Sequence, residues 1–99
     1  MESERSKIVV EEVERTIASP GKLKILRLLM KNPTHAFTRY EVGKKIALSP
    51  VDIKKDLTLL AETGWVKETR LAHLQKYSIN FDNELTKEFI VFFKRIGYV

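Results

Sequence analysis

The chain has 99 residues, 43% hydrophobic and 31% charged, which is the balance of one ordinary globular domain with a single modest core. It has no cysteine, which excludes disulfides, thiolate metal sites and thiol nucleophiles, and no apolar run approaches the length of a membrane span. The net charge of +5 is unevenly spread: residues 1–19 carry three basic and five acidic groups, residues 20–80 twelve and five, and residues 81–99 three of each, so the middle of the chain points to a polyanion as partner.

In chain order, Ile8, Val9, Val13 and Ile17 fall on one face of a helix expected over residues 5–18, which Ser19-Pro20-Gly21 breaks. The start "MESERSK" lacks the cationic and then apolar pattern of a secretory signal, so a cytoplasmic location is expected. In "GKLKILRLLMK", Leu23, Leu26 and Met30 recur at helical spacing and Ile25, Leu28 and Leu29 widen the stripe, leaving Lys22, Lys24, Arg27 and Lys31 to the remaining surface. Asn32-Pro33 ends this helix.

Ala36-Phe37 reads as a short extended piece, and Thr38 with Glu41 has the capping-box spacing for the next helix, whose Val42 and Ile46 face inward. Ala47-Leu48 is a very short connection to Ser49, which caps a further helix with Pro50 at its first position and Ile53, Leu57 and Leu60 as its buried stripe. Two helices joined so tightly must cross steeply, the helix-turn-helix arrangement. Gly64 ends the second of them by taking a left-handed conformation. "WVKET" and "KYSIN" then alternate as strands of a hairpin with a cationic tip. A last helix over residues 83–97, capped by Asp82 or Asn83, carries Leu85, Phe89, Phe92, Phe93 and Ile96.

The stretch "TRYEVGKKIALSPVDIKKDLTLLAETGWV" resembles the small winged helix-turn-helix transcription regulators of the ArsR-like and MarR-like families, including archaeal ones. Its marks are Val42 with Ile46, Leu48-Ser49, the Ile53, Leu57 and Leu60 series, and Gly64-Trp65-Val66. The expected fold is therefore α+β, mainly α: one winged helix domain over residues 1–99, with a core at 21–79, a β-hairpin wing and additional N- and C-terminal helices. Ala47 stands where the family often has glycine, so the turn is expected to differ locally.

The resemblance implies a sequence-specific regulator of double-stranded DNA, with a recognition helix over residues 50–63 in the major groove and a wing over 66–79 on the backbone or in the minor groove. The implied DNA contacts are Thr38, Arg39, Tyr40, Ser49, Pro50, Val51, Asp52, Lys54, Lys55, Thr58, Arg70, His73 and Lys76. The side-chain chemistry suits this: Val51 can pack on a thymine methyl, Asp52 can accept from cytosine, and Lys54 or Lys55 can meet guanine or phosphate. Asp52 equally fits the cap of Ser49, Tyr40 a packing place beside the turn, and Arg70, His73 and Lys76 a solvated loop.

His35 and His73 have no ligand spacing, and no metal or cofactor is expected. No phosphate loop, nucleophile elbow or HExxH pair is present, so an enzyme is not expected, and Asp52, Asp56 and Glu62 read as caps and surface charges. The competing function is a winged helix serving protein–protein contacts in a transcription or replication assembly. The two outer helices suggest a homodimer built on Ile8, Val9, Val13, Ile17, Leu85, Phe89, Phe92, Phe93 and Ile96, unless they cover each other within one chain. A dimer implies a roughly palindromic site with half-sites about one helical turn apart. The sequence names no small-molecule effector.

Overall fold

A computed structural model describes residues 10, 11, 13–16 and 19–99. Within the expected first helix, residues 10, 11 and 13–16 are helical, while Ile8, Val9 and Ile17 lie outside the described residues. The elements that follow are helix α1 (Pro20–Lys31), α2 (Arg39–Lys45), α3 (Pro50–Glu62), strands β1 (Val66–Leu71) and β2 (Leu74–Ile79), and helix α4 (Glu84–Arg95).

Ser19-Pro20-Gly21 does more than break the preceding helix, because it also starts the next one. The Ser19 hydroxyl accepts from the Lys22 N–H at 3.4 Å, and Pro20 takes the first helical position, where its missing N–H costs nothing. Ile25, Leu26, Leu29 and Met30 are buried, which makes α1 the central helix of the core. Lys22, expected at the surface, is instead part-buried beside Asp56 of α3. Asp56, which reads from sequence as a surface charge, is itself only 9% exposed.

Helix α2 begins with the expected capping box: Thr38 Oγ1 accepts from the Glu41 N–H, and the Glu41 carboxylate accepts from the Thr38 N–H. Just before it, Phe37 and Tyr77 exchange backbone hydrogen bonds of 2.7 and 2.8 Å, which adds a one-residue third strand to the hairpin. The turn into α3 is extended at Ile46, and Ala72 is the one non-glycine residue with positive φ among the described residues. Ala47 is thus not left-handed and its β-carbon carries no strain.

Ser49 caps α3 through the Asp52 N–H at 3.1 Å, and Gly64 ends the helix region with φ +85°. The hairpin is antiparallel, with register from Val66↔Ile79 to Leu71↔Leu74 across the two-residue turn Ala72-His73. Asn83, not Asp82, caps α4, its side-chain oxygen accepting from Leu85 and Thr86. That helix stops at Arg95, short of the expected 97, and Gly97 at φ +78° turns the chain so that the Tyr98 N–H donates to the Phe93 carbonyl. Arg27 donates to the Tyr98 carbonyl at 2.7 Å and lies 5.5 Å from its ring, fastening the C-terminus to α1.

The core gathers the inner faces of α1, α2 (Val42, with Ile46 at its end), α3, the hairpin and α4, with Trp65 fully buried and Phe89 at 5.5 Å between ring centres. The buried indole N–H of Trp65 has no hydrogen-bond partner among the described residues.

Candidate nucleic-acid interface

The buried stripe of α3, Ile53, Leu57 and Leu60, dictates which residues point away from the core. Val51, Asp52, Lys54, Lys55 and Thr58 are all exposed, as the helical period requires. Val51 is 75% exposed, an apolar side chain held at the open start of a helix where only solvent now covers it. A groove between α2 and α3 is lined by Arg39, Tyr40, Gly43, Lys44, Leu48, Pro50, Val51, Ile53 and Lys54, a set with three cations and no carboxylate.

Tyr40 projects from α2 at 71% exposure, with the Lys44 ammonium 4.6 Å from its ring centre. It does not pack beside the turn; it stands out over the groove, its hydroxyl available. Lys44 carries no motif of its own in the sequence, although its place four residues after Tyr40 puts it on the same helix face. Thr38 and Ser49 act as caps, so their side-chain oxygens are already engaged by backbone N–H groups. Asp52 meets the Ser49 hydroxyl through its backbone N–H, and its carboxylate remains exposed.

Arg39 reaches across from the first residue of α2 to donate to the Gln75 side-chain carbonyl on β2. The Gln75 amide in turn donates to Glu68 at 2.7 Å, and Glu68 also accepts from Arg70 at 3.4 Å. This chain of bonds ties the outer half of the hairpin to the helix that lines the groove. Neither Gln75 nor Glu68 stands out in the sequence, though strand alternation places both on the face of Arg70 and Tyr77. Burial pushes the Tyr77 hydroxyl above its ordinary pKa, and the Glu68 charge adds to that.

The expected cationic cluster on the wing is divided by the same alternation. Arg70 pairs with Gln75 on one face, Lys76 pairs with Thr69 on the other, and His73 occupies the turn. The tip itself is apolar: Leu71 and Leu74 form the last cross-strand pair and are 57% and 50% exposed. Lys67, further down the wing, is paired with Asp82 at 2.6 Å, and that hydrogen bond holds the Asp82 carboxyl below its ordinary pKa.

The apolar residues of α4 and its C-terminal cap Ile96 separate into two sets. Phe93 is buried, and Leu85 and Phe89 are half-buried against the chain's own core, while Val91, Phe92 and Ile96 are 50%, 52% and 60% exposed. Val13, in the helical residues before α1, is half-buried. No helix among the described residues is long and apolar enough to cross a membrane.

No protein-family model and no curated protein sequence matches the chain. Its architecture does match solved structures. HlyU from Vibrio cholerae superposes with TM-score 0.78 at 20% identity, over 96% of this chain and 97% of that one. The transcriptional repressor PagR of Bacillus anthracis gives 0.72 at 23% identity, over 91% and 98%. A homodimeric winged helix-turn-helix DNA-binding domain from Mycobacterium bovis gives 0.70 at 18% identity, over 97% and 87%. With α1 to α3, the two-stranded wing and α4 following one another in this order, the chain has the winged helix fold expected from its sequence.

Proposed function

We propose that this protein is a sequence-specific, double-stranded DNA-binding transcription regulator that acts by occupying its site and not by catalysis. The observation that carries the reading is the shared direction of its contact groups. Val51, Lys54, Lys55 and Thr58 form the outward face of α3, Lys44 and Tyr40 flank them on α2, and the Arg39–Gln75 bond holds the wing to the same groove. On this reading the start of α3 enters the major groove, where Val51 and Lys54 meet base edges and Lys55 meets phosphate. Arg70, His73 and Lys76 lie along the backbone or minor groove, Tyr40 donates to a phosphate, and the capped helix starts at Thr38 and Ser49, with Arg39, Pro50 and Asp52, line the approach. The solved structures of the same shape include a repressor and a DNA-binding domain, which supports the reading. The location that goes with this reading is the cytoplasm.

The working form is a homodimer, with Phe92 of α4, Ile96 at its C-terminal cap and the helical segment around Val13 as its contact. Exposed Val91, Phe92 and Ile96 make an apolar surface that a second copy would cover. Ile8, Val9 and Ile17 belong to the same proposal on sequence grounds, while Leu85, Phe89 and Phe93 support the helix from beneath.

Anisotropy titration of a random duplex at low and moderate salt tests the function. Binding that falls steeply with salt, followed by recovery of a preferred sequence from a random pool, is the expected result. Salt-independent or absent binding would favour the protein-contact alternative. Light scattering tests the dimer: wild type is expected at twice the chain mass, and Phe92→Glu with Ile96→Glu at the monomer mass with its fold intact.

A further inference from the structure

The apolar wing tip is the feature that phosphate contact leaves unexplained. Leu71 and Leu74 face each other across the last register position of the hairpin, more than half and half exposed respectively, although a charged or polar pair would be easier to keep in water. Around them lie Arg70, His73 and Lys76 with one carboxylate, Glu68, which accepts from Arg70 at 3.4 Å, so the cations Arg70 and Lys76 outnumber the anion. The charge surrounding this apolar pair is therefore complementary to a polyanion. Arg39 of the α2–α3 groove bonds Gln75, which holds the outer half of the wing beside the proposed DNA face, while strand alternation puts Leu71 and Leu74 on the hairpin's other face, with Thr69 and Lys76.

We infer that Leu71 and Leu74 form an apolar wedge for the minor groove of DNA, packing on its deoxyribose walls and reading its composition. This rests on the DNA-binding reading above. A two-stranded ribbon is wider than the minor groove, which is about 6 Å across, so only the side chains at the two-residue turn and the last cross-strand pair would enter it. Leucines make no hydrogen bonds to the groove floor, so what they sense is obstruction. The guanine N2 amino group projects into that floor and A·T pairs have no counterpart, so the wedge favours A·T pairs where the wing lands. Flexible pyrimidine–purine steps there favour it further, because they open more readily to an apolar side chain.

The test uses a duplex selected by the full-length protein, with the wing position located by footprinting and its base pairs made G·C, inosine·C or A·T. Inosine·C differs from G·C in the minor groove by the missing amino group alone. Wild type is expected to bind the inosine·C and A·T duplexes about tenfold more tightly than G·C. Leu71→Ser with Leu74→Ser should remove that difference, weaken binding to the A·T duplex by about tenfold, and leave the salt slope unchanged. Arg70→Ala serves as the contrast, expected to lower the slope and keep the discrimination. Both leucines are exposed, so circular dichroism and melting should match wild type. Equal binding of all three duplexes by wild type, or discrimination that survives in the double serine variant, overturns the wedge while leaving DNA binding in place. A change of mass in light scattering without a change of discrimination makes the tip a protein contact and also overturns it. If wild type binds no duplex, the DNA-binding reading fails first.

Discussion

The Lys22 ammonium lies 3.7 Å from the Asp56 carboxylate with each side chain 12% exposed, so the first turn of α1 is tied to the middle of α3 by an ion pair nearly shut off from water. The packing there is close. A β-carbon added at Gly21 would stand 2.7 Å from Asp56 Oδ2, within the contact distance that real atoms avoid. Asp56→Ala leaves an unpaired, part-buried ammonium and is expected to cost about 2–3 kcal/mol in urea unfolding. Replacing both partners, Lys22→Met with Asp56→Leu, should cost much less, since neither charge then has to be desolvated. Gly21→Ala is expected to destabilise by roughly 1–2 kcal/mol through overpacking alone. Equal losses for the single and double replacements would mean that the pair is held by its shape and not by its charge.

Gly64 links the helix-turn-helix to the rest of the fold. Its φ of +85° turns the chain from α3 into β1, and its carbonyl accepts from the Asn80 and Asn83 side-chain amides at 2.8 and 3.1 Å. Gly64→Val is expected to cost more than about 1 kcal/mol, because a β-branched residue is strained in this conformation and its β-carbon would press on the Asn83 amide at 3.1 Å. Asn83→Ala removes both the α4 cap and one of these bonds, and should cost about 1 kcal/mol. An unchanged melting temperature for Gly64→Val would show that the turn tolerates another conformation.

What is legible in the sequence is what local chemistry decides. Ser49, the Thr38 and Glu41 pair, and Gly64 each act on backbone within a few residues, so spacing alone places them. Ser19-Pro20-Gly21 carries the same Ser-Pro start signal as Ser49-Pro50, but lying at the end of one apolar period and holding a glycine it reads first as a break. The Lys22–Asp56 pair joins positions far apart in sequence, and nothing local says that a charged residue will be buried. In α4 the periodicity gives an apolar helix but not its direction: Phe93 turns to its own core and Phe92, one residue earlier, to solvent. On the wing, turn length decides which residues share a face, so Arg70 and Lys76 separate and two leucines take the tip.

Glu41 makes the start of α2 sensitive to acid. The hydrogen bond from the Thr38 N–H, with help from His35 3.4 Å away, holds its carboxyl below the ordinary value of 4.5. A carboxyl depressed in the folded state contributes stability that is present above the unfolded pKa and is lost as pH falls through the folded one. The loss is therefore expected below about pH 4.5. Glu41→Gln keeps an acceptor for the Thr38 N–H and removes the titration, so its urea midpoint should fall less than that of wild type between about pH 5 and pH 3. Parallel falls would mean that the carboxylate does not hold the cap in solution.

If the protein binds DNA as proposed, variants at Arg70 and at the start of α3 distinguish the holding of DNA from the reading of it. Arg70 is 74% exposed in its side chain and engaged only by Glu68 at 3.4 Å among the described residues, a surface pair weak enough to yield to phosphate. Arg70→Ala should weaken binding to selected and scrambled duplexes alike and lower the salt slope by about one unit for each phosphate that the guanidinium neutralises. Glu68→Gln should act in the opposite direction, because it frees the guanidinium and removes a negative charge from the wing. Val51→Ala and Lys54→Ala, on the exposed start of α3, should instead change preference between sites, by about 1–3 kcal/mol at a single base pair, with a smaller effect on scrambled duplex. Titrations at three salt concentrations on the two duplexes distinguish these patterns. If Val51→Ala and Lys54→Ala lower both affinities equally, α3 lies on the backbone and sequence is read elsewhere; if none of the four changes alters binding, the wing and α3 are not the DNA-binding face.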